Sequence, residues 1–382
     1  STVSTVQFGT NVDPQGNTRD LFMDIYQPEG DTVSRRPVIV LAYGGAFVAG
    51  QRGDMEPFAR IFAHSGYVAV SIDYRLLEPS IINIPDSLDF LDVAFKAVGD
   101  MKASIRELRK SVDEGNPYRI DPNMIFVGGV SAGAITAIQT AYVTPEDDIP
   151  DYVMNVIDAN GGFEGNTGDS LNQTYTSEVN GVVNGSGAVY LPHWIDEGEV
   201  PITSYHGTED RVVPYNFGIA TLSFGIFDLM VVSLNGSGNI QTRANEVGIP
   251  NILETVEGGE HSNIYTDSIY QTNLNTFIAN SASFLESIVC NTISSNKNEI
   301  VELDIDVFPN PVKDVIQIRI NEAMDEDFSI LLVDVMGRTV VQYDANKFEQ
   351  DITLANQGWP SGMYFLNIQN SKGRSTTSLI VN

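Results

Sequence analysis

Gly129-Val130-Ser131-Ala132-Gly133 is the stretch on which the fold of this chain turns. It follows the apolar run Met124-Ile125-Phe126-Val127 and opens into Ala132-Gly133-Ala134-Ile135-Thr136-Ala137-Ile138, which favours a helix. A serine on a tight strand-to-helix turn projects its hydroxyl above a parallel sheet. The two glycines remove Cβ atoms that would clash with strand and helix at that point. The pentapeptide therefore predicts Ser131 as a nucleophile directed at an acyl carbon.

Such a serine needs a base and an acid, each at the end of its own strand. Pro201-Ile202-Thr203-Ser204-Tyr205-His206-Gly207-Thr208-Glu209-Asp210 reads as a short buried strand followed by a polar turn carrying Asp210. Ile252-Leu253-Glu254-Thr255-Val256-Glu257-Gly258-Gly259-Glu260-His261 repeats that design and ends in His261. A serine hydroxyl is a poor nucleophile until a neutral imidazole accepts its proton, and a carboxylate must hold the imidazole in the right tautomer. His261 and Asp210 fit those roles. Of the other histidines, His206 reads as a loop anchor, His64 as a surface or packing residue and His193 as a pocket residue; none has metal-ligand spacing.

The tetrahedral intermediate also needs donors for its oxyanion, at about 3 kcal/mol per donor. One is expected from the N–H of Ala132, which follows the nucleophile. Others are expected from Tyr43-Gly44-Gly45-Ala46-Phe47, after the strand Val38-Ile39-Val40-Leu41. Here the chain resembles the carboxylesterase and hormone-sensitive-lipase-like branch of the α/β-hydrolases, whose HGGG loop is similar to Tyr43-Gly44-Gly45-Ala46. The likeness runs from about Leu21 to Phe284, and includes the phrase His206-Gly207-Thr208-Glu209-Asp210 and the chain order Ser, Asp, His. It implies that Gly45 and Ala46 supply the remaining oxyanion amides. Tyr43 stands where the family has histidine, and Ala46 where it has glycine, which bears on substrate range. Phe47, Phe163, Trp194 and Tyr215 are candidate pocket walls beside Tyr43 and His193.

Two other readings stay open. Prolyl-oligopeptidase-like peptidases also carry a Tyr-Gly-Gly turn, but their nucleophile motif has Trp before the serine and Tyr-Gly-Gly after it, where this chain has Val130 and Ala132-Gly133-Ala134. A noncatalytic binding protein on a hydrolase scaffold is the alternative from another class; the presence of all three triad residue types argues against it.

Strands are predicted over Leu21–Tyr26, Val38–Tyr43, Val68–Asp73, Met124–Val127, Val182–Gly185, Ile202–Tyr205 and Asn251–Val256, with helices at Phe58–Ser65 and Ser87–Val112. Alternation of this kind predicts an α/β fold, a mainly parallel sheet flanked by helices. Two insertions interrupt it. Thr144–Asn180 is read as a lid or rim loop over Ser131, and Phe217–Gly248 as a helix with a hydrophobic face.

The chain has 382 residues, 42% of them hydrophobic, enough for an enzyme with an appendage. A net charge of -29 speaks against a nucleic-acid partner. No run approaches the roughly 18 apolar residues of a membrane span. With Cys290 as the one cysteine, the fold cannot rest on internal disulfides. The opening Ser-Thr-Val-Ser-Thr reads as that of a processed chain.

A catalytic domain is expected over 1–290, a polar linker over 291–303 and a small antiparallel β-sandwich over 304–382. Alternating runs at Val315–Ile320, Ser329–Val335, Met363–Ile368 and Ser378–Val381 are separated by turn signals at Met336-Gly337-Arg338 and Ser371-Lys372-Gly373. This tail resembles the C-terminal sorting domain of type IX secretion in Phe308-Pro309-Asn310-Pro311-Val312-Lys313-Asp314, Val333-Asp334-Val335-Met336-Gly337-Arg338, Gly362-Met363-Tyr364-Phe365 and Ser378-Leu379-Ile380-Val381. The likeness implies export by the type IX machinery of a Bacteroidetes-type bacterium, with the tail usually cleaved. A carbohydrate-binding accessory domain is the other reading. The whole predicts a secreted serine carboxylesterase without cofactor or metal, acting on a small-molecule or polymeric ester: feruloylated or acetylated polysaccharide, lipid, or a polyester such as poly(ethylene terephthalate).

Overall fold

Apolar runs bounded by glycine turns form, in chain order, β1 (Thr2–Val12), β2 (Thr18–Gln27), β3 (Arg36–Ala42), β4 (Val68–Ile72), β5 (Ile120–Val130), β6 (Val182–Gly185), β7 (Ala188–Val189), β8 (Ile202–Gly207), β9 (Phe217–Ser223), β10 (Asp228–Gly236) and β11 (Asn251–Val256). The helices are α1 (Glu56–His64), α2 (Ser87–Asp113), α3 (Ala132–Tyr142), α4 (Asp151–Ala159), α5 (Ser237–Glu246), α6 (Asn263–Thr266) and α7 (Gln271–Ser295). The computed structural model describes the chain apart from residues 31, 79–83, 224–227, 296–304, 322–326, 335–338, 357, 361, 370–373 and 382. It divides into two units, Ser1–Cys290 and Asn291–Asn382. α7 runs on through residues 291–295 of the expected linker; 296–303 lie outside the described residues.

In the first unit an eight-stranded sheet has the order β1-β2-β4-β3-β5-β6-β8-β11. The β1–β2 and β2–β4 pairs are antiparallel, and every other pair is parallel. Each residue of β4 is buried, as expected where both faces of a sheet are covered. α2 is long because Asp86 caps it, accepting from the N–H groups of Leu88 and Asp89 while the Asp89 side chain reaches back. The C-terminal ends of β5, β8 and β11 carry Ser131, Asp210 and His261 to one edge.

Both insertions differ from expectation. Thr144–Asn180 is not a lid over Ser131: it contains α4 and then lies pinned along α2. Arg106 donates to Asn172 Oδ1 and to the Thr167 carbonyl, each at 3.0 Å, and Lys102 to the Phe163 carbonyl at 2.7 Å. Thr167 Oγ1 donates to Asp100 at 2.6 Å, and Asp100 also pairs with Arg75 at 2.9 Å. Buried charges of α2 thus fix a polar segment whose composition resembles a free loop. The segment read as one helix from Phe217 is the antiparallel hairpin β9–β10 followed by α5. Ile219 points outward while Ala220 is buried, the period-2 alternation of a strand. The apolar Phe224–Phe227 lies outside the described residues.

In the second unit Ile305–Phe308, Val315–Ile320 and Asp351–Ala355 form one antiparallel sheet, and Thr339–Ala345, Phe328–Asp334, Gly362–Gln369 and Arg374–Val381 another. Ile316, Ile318, Leu332 and Leu366 meet in a shared core that also encloses Trp359. The turn signals at Met336-Gly337-Arg338 and Ser371-Lys372-Gly373 lie outside the described residues.

Candidate active site

Ser131 directly follows β5 and stands at the N-cap of α3 with φ +55° and ψ −120°, a conformation costly for any residue with a side chain. The elbow holds because the backbone around it is locked: Ser131 N–H donates to the Gly185 carbonyl at 2.7 Å, and Ile135 N–H to the Ser131 carbonyl at 2.9 Å. The flanking glycines are sterically required. A Cβ on Gly129 would lie 2.5 Å from the Ala42 carbonyl oxygen, and one on Gly133 2.0 Å from the same atom.

His261 Nε2 lies 2.8 Å from Ser131 Oγ, and His261 Nδ1 lies 2.6 Å from Asp210 Oδ2. Asp210 Oδ1 accepts from the N–H groups of Val212 and Val213, each at 2.9 Å. Burial pushes the Asp210 carboxyl up, but hydrogen bonds from His206 and His261 outweigh it and bring the group down to about 2. The loops that carry acid and base are pressed together at Gly207, whose added Cβ would lie 2.2 Å from the Gly259 carbonyl oxygen. Glu209 N–H donates to that carbonyl at 2.9 Å. His206 is fully buried, with Nε2 3.0 Å from the Val213 carbonyl and Nδ1 2.8 Å from Ser237 Oγ.

The loop after β3 turns through Gly45, Ala46 and Phe47, all with positive φ, and is closed by Val48 and Ala49 N–H groups donating to the Gly45 carbonyl at 3.0 Å. Ala46 lies beside Ser131 and Ala132 in the cavity wall. Ala132 opens α3, so the helix offers its N–H no carbonyl one turn earlier.

Ser131 sits between two spaces. One is a pocket of about 80 Å³ that has an almost wholly apolar wall, with Phe47, Phe90, Phe95, Ile135, Val231 and Leu234 among its residues. The other is an open cleft of about 510 Å³ bordered by Gly44, Asp54, His261, Ser262 and Tyr265.

Of the expected pocket residues, Phe47 lines the apolar pocket. Tyr43 does not line either space: it is buried in the core, stacked on Tyr74 at 4.3 Å, and Tyr74 Oη donates to its carbonyl at 2.8 Å. Burial drives the Tyr43 hydroxyl well above its usual range. His193 is exposed on the surface, with Nε2 3.2 Å from the Asp148 carbonyl, and Trp194 is fully buried beneath it. Phe163 lies on another flank of α2, and Tyr215 packs edge-on against His206. The walls that sequence reading missed come from α2 and the β9–β10 hairpin. Ile135 and Gln139 were within reach of it, since they follow Ser131 at i+4 and i+8 on one helix face.

A mostly parallel sheet with this strand order and a serine elbow is the architecture of the α/β-hydrolase fold. Residues 23–194 match the BD-FAE family model, and residues 306–382 match the secretion system C-terminal sorting domain. Such a sorting domain marks type IX secreted proteins, found at the cell surface or outside it. Similar solved structures include Thermogutta terrifontis esterase 2 phosphorylated by paraoxon, at 21% identity and a TM-score of 0.51, covering 75% of this chain and 94% of that one. The propionate-bound form of the same esterase gives 21% identity and a TM-score of 0.51 over 73% and 93%. The non-reducing polyketide synthase pkbA of Emericella nidulans is 29% identical over 138 residues, 35% of this chain. The synthase Preu3 of Preussia isomera is 30% identical over 132 residues, 33% of this chain. The matched stretch spans 5% of each synthase.

Proposed function

We propose that this protein is a secreted serine carboxylesterase that works through an acyl-enzyme. The observation that carries the reading is the unbroken series Ser131 Oγ, His261 Nε2 and Nδ1, Asp210 Oδ2, with hydrogen bonds of 2.8 and 2.6 Å. Ser131 Oγ attacks the ester carbonyl carbon while His261 Nε2 takes its proton, and Asp210 holds the imidazole and stabilises the cation that forms. The N–H groups of Ala132, Ala46 and Gly45 receive the oxyanion. Collapse breaks the carbonyl carbon–alkoxy oxygen bond, and His261 returns the proton to the departing oxygen. Water, deprotonated by the same imidazole, then releases the acid.

The position of His261 also supports a division of labour between the two spaces. The leaving oxygen must come within reach of Nε2, so the alcohol part lies in the open cleft that His261 borders and the acyl part in the apolar pocket. An open cleft accommodates a large alcohol, including a polymer chain, which suits an exported enzyme. An apolar pocket of about 80 Å³ suits a small acyl group; propionate is bound in the esterase 2 structure named above.

Turnover of p-nitrophenyl acetate and butyrate by the wild type and Ser131→Ala tests this. The variant should lose activity by roughly 10⁵-fold or more, and mass spectrometry should find the trapped acyl group on Ser131 alone. Equal turnover by the two proteins would show a noncatalytic scaffold, and sustained release from prolyl-p-nitroanilide would favour a peptidase.

A further inference from the structure

Every residue of β6 is buried, and such a strand in a parallel sheet ordinarily carries apolar side chains; Asn184 breaks that rule. Its amide has one orientation. Oδ1 accepts from the Gly187 N–H at 2.8 Å, across a turn that passes through Ser186 at φ +52°. A backbone N–H can only donate, so Oδ1 is fixed as the acceptor and Nδ2 as the donor. Nδ2 donates to Ser204 Oγ of β8 and to Ser237 Oγ of α5, each at 3.0 Å.

The polarity set at Asn184 runs on toward the acid. Ser237 Oγ has one proton, and with Asn184 donating from one side that proton goes to His206 Nδ1, 2.8 Å away. His206 then holds its own proton on Nε2, which lies 3.0 Å from the Val213 carbonyl and 3.2 Å from Asp210 Oδ2. One backbone donor thus sets the direction of each later bond, and the last meets the carboxylate that pairs with His261. Asn184, Ser237 and His206 are all buried, so a wrongly directed bond among them stays unpaired and costly. The next residue of β6, Gly185, accepts from the Ser131 N–H at 2.7 Å, so neighbouring residues of one strand hold the nucleophile and the acid.

We propose that Asn184 is a positioning residue for the acid: through Ser237 it keeps His206 a donor toward Asp210, and so keeps the carboxylate turned to His261. The inference rests on the esterase reading. Neither Asn184 nor Ser237 borders the apolar pocket or the open cleft, so the effect belongs in kcat and not in KM.

Asn184→Asp keeps the shape of the side chain, but a carboxylate can only accept, so the Ser237 proton turns to it and away from His206. With the full chain on p-nitrophenyl butyrate at pH 8, kcat should fall about tenfold or more while KM stays within about twofold. The deciding measurement repeats the substitution in a His206→Phe background, where the path to Asp210 is already cut; there it should change kcat by less than about twofold. Ser237→Ala removes one buried oxygen and should give the same non-additive cycle, which keeps the test open if Asn184→Asp does not fold. Losses that multiply in the double variants, an unchanged kcat in a folded Asn184→Asp, or a change confined to KM would overturn the proposal with the esterase reading intact. A wild type without turnover would remove the esterase reading itself.

Discussion

Asp210 Oδ2 is shared by two histidines: His261 Nδ1 approaches it at 2.6 Å and His206 Nε2 at 3.2 Å. His206 Nε2 faces this carboxylate and the Val213 carbonyl, two acceptors, so the proton sits on Nε2 and Nδ1 accepts from Ser237 Oγ. His206 thus steadies the acid from the side away from the serine. It touches neither space beside Ser131 and acts as a positioning residue. His206→Phe keeps a ring in place but removes all three polar contacts. We expect kcat to fall roughly ten- to a hundredfold, the size of losing a hydrogen bond to a charged group, with KM for p-nitrophenyl butyrate little changed. Steady-state kinetics decide it, and an unaltered kcat would refute the role.

Asp210→Asn separates charge from shape. The amide still accepts from the Val212 and Val213 N–H groups but presents the wrong partner to His261, so kcat should drop by about 10⁴-fold near neutral pH. Stability moves as well. The folded carboxyl titrates near 2 against an ordinary 3.8, so its ionised form stabilises the fold above pH 3.8 and that contribution fades as pH falls through 2. Urea unfolding should therefore find the wild type more stable than the variant at pH 6, with the gap closing in acid. A gap that stays constant down to pH 2 would contradict this sign.

Gly133→Ala should break the elbow. Its Cβ would stand 2.0 Å from the Ala42 carbonyl oxygen and 2.6 Å from that of Tyr43, both backbone atoms of β3 and its loop with little freedom to retreat. We expect a loss of roughly 3 kcal/mol or more in unfolding free energy, together with loss of activity. A folded, active Gly133→Ala protein would mean that α3 does not press on β3 as described.

Most of the sheet and the three polar residues above it were legible because each depends on local signals. Val182–Gly185 and Asn251–Val256 are bounded by turns, and Ser131 is marked by glycines whose reason is steric. The two insertions were not legible because their conformation is set by distant partners. Thr167 and Asn172 look like loop residues until Asp100 and Arg106 on α2 are placed beside them. The spacing of Phe217, Ala220 and Phe224 fits a helix, yet the backbone of residues 217–219 pairs with β10, whose position no local pattern records. Tyr43 misled for the opposite reason: its neighbours do form the loop beside the serine, but its own side chain alternates inward to Tyr74. The second histidine on Asp210 lay within the quoted phrase, with nothing in its spacing to show which way its ring turns.

Acyl-chain length should be set by Ile135. It stands one turn beyond Ser131 on the face of α3 that lines the apolar pocket, together with Phe90 of α2 and Val231 of β10. An acyl group longer than a few carbons must pass it, whereas an acetyl group ends before reaching it. Ile135→Trp puts an indole into a space of about 80 Å³. The variant should hydrolyse p-nitrophenyl acetate at close to the wild-type rate and lose roughly tenfold or more in kcat/KM on the octanoate ester, the scale at which an apolar pocket discriminates by size. A uniform loss over the whole ester series would instead point to a distorted elbow, and a loss confined to bulky alcohols would reverse the assignment of the two spaces.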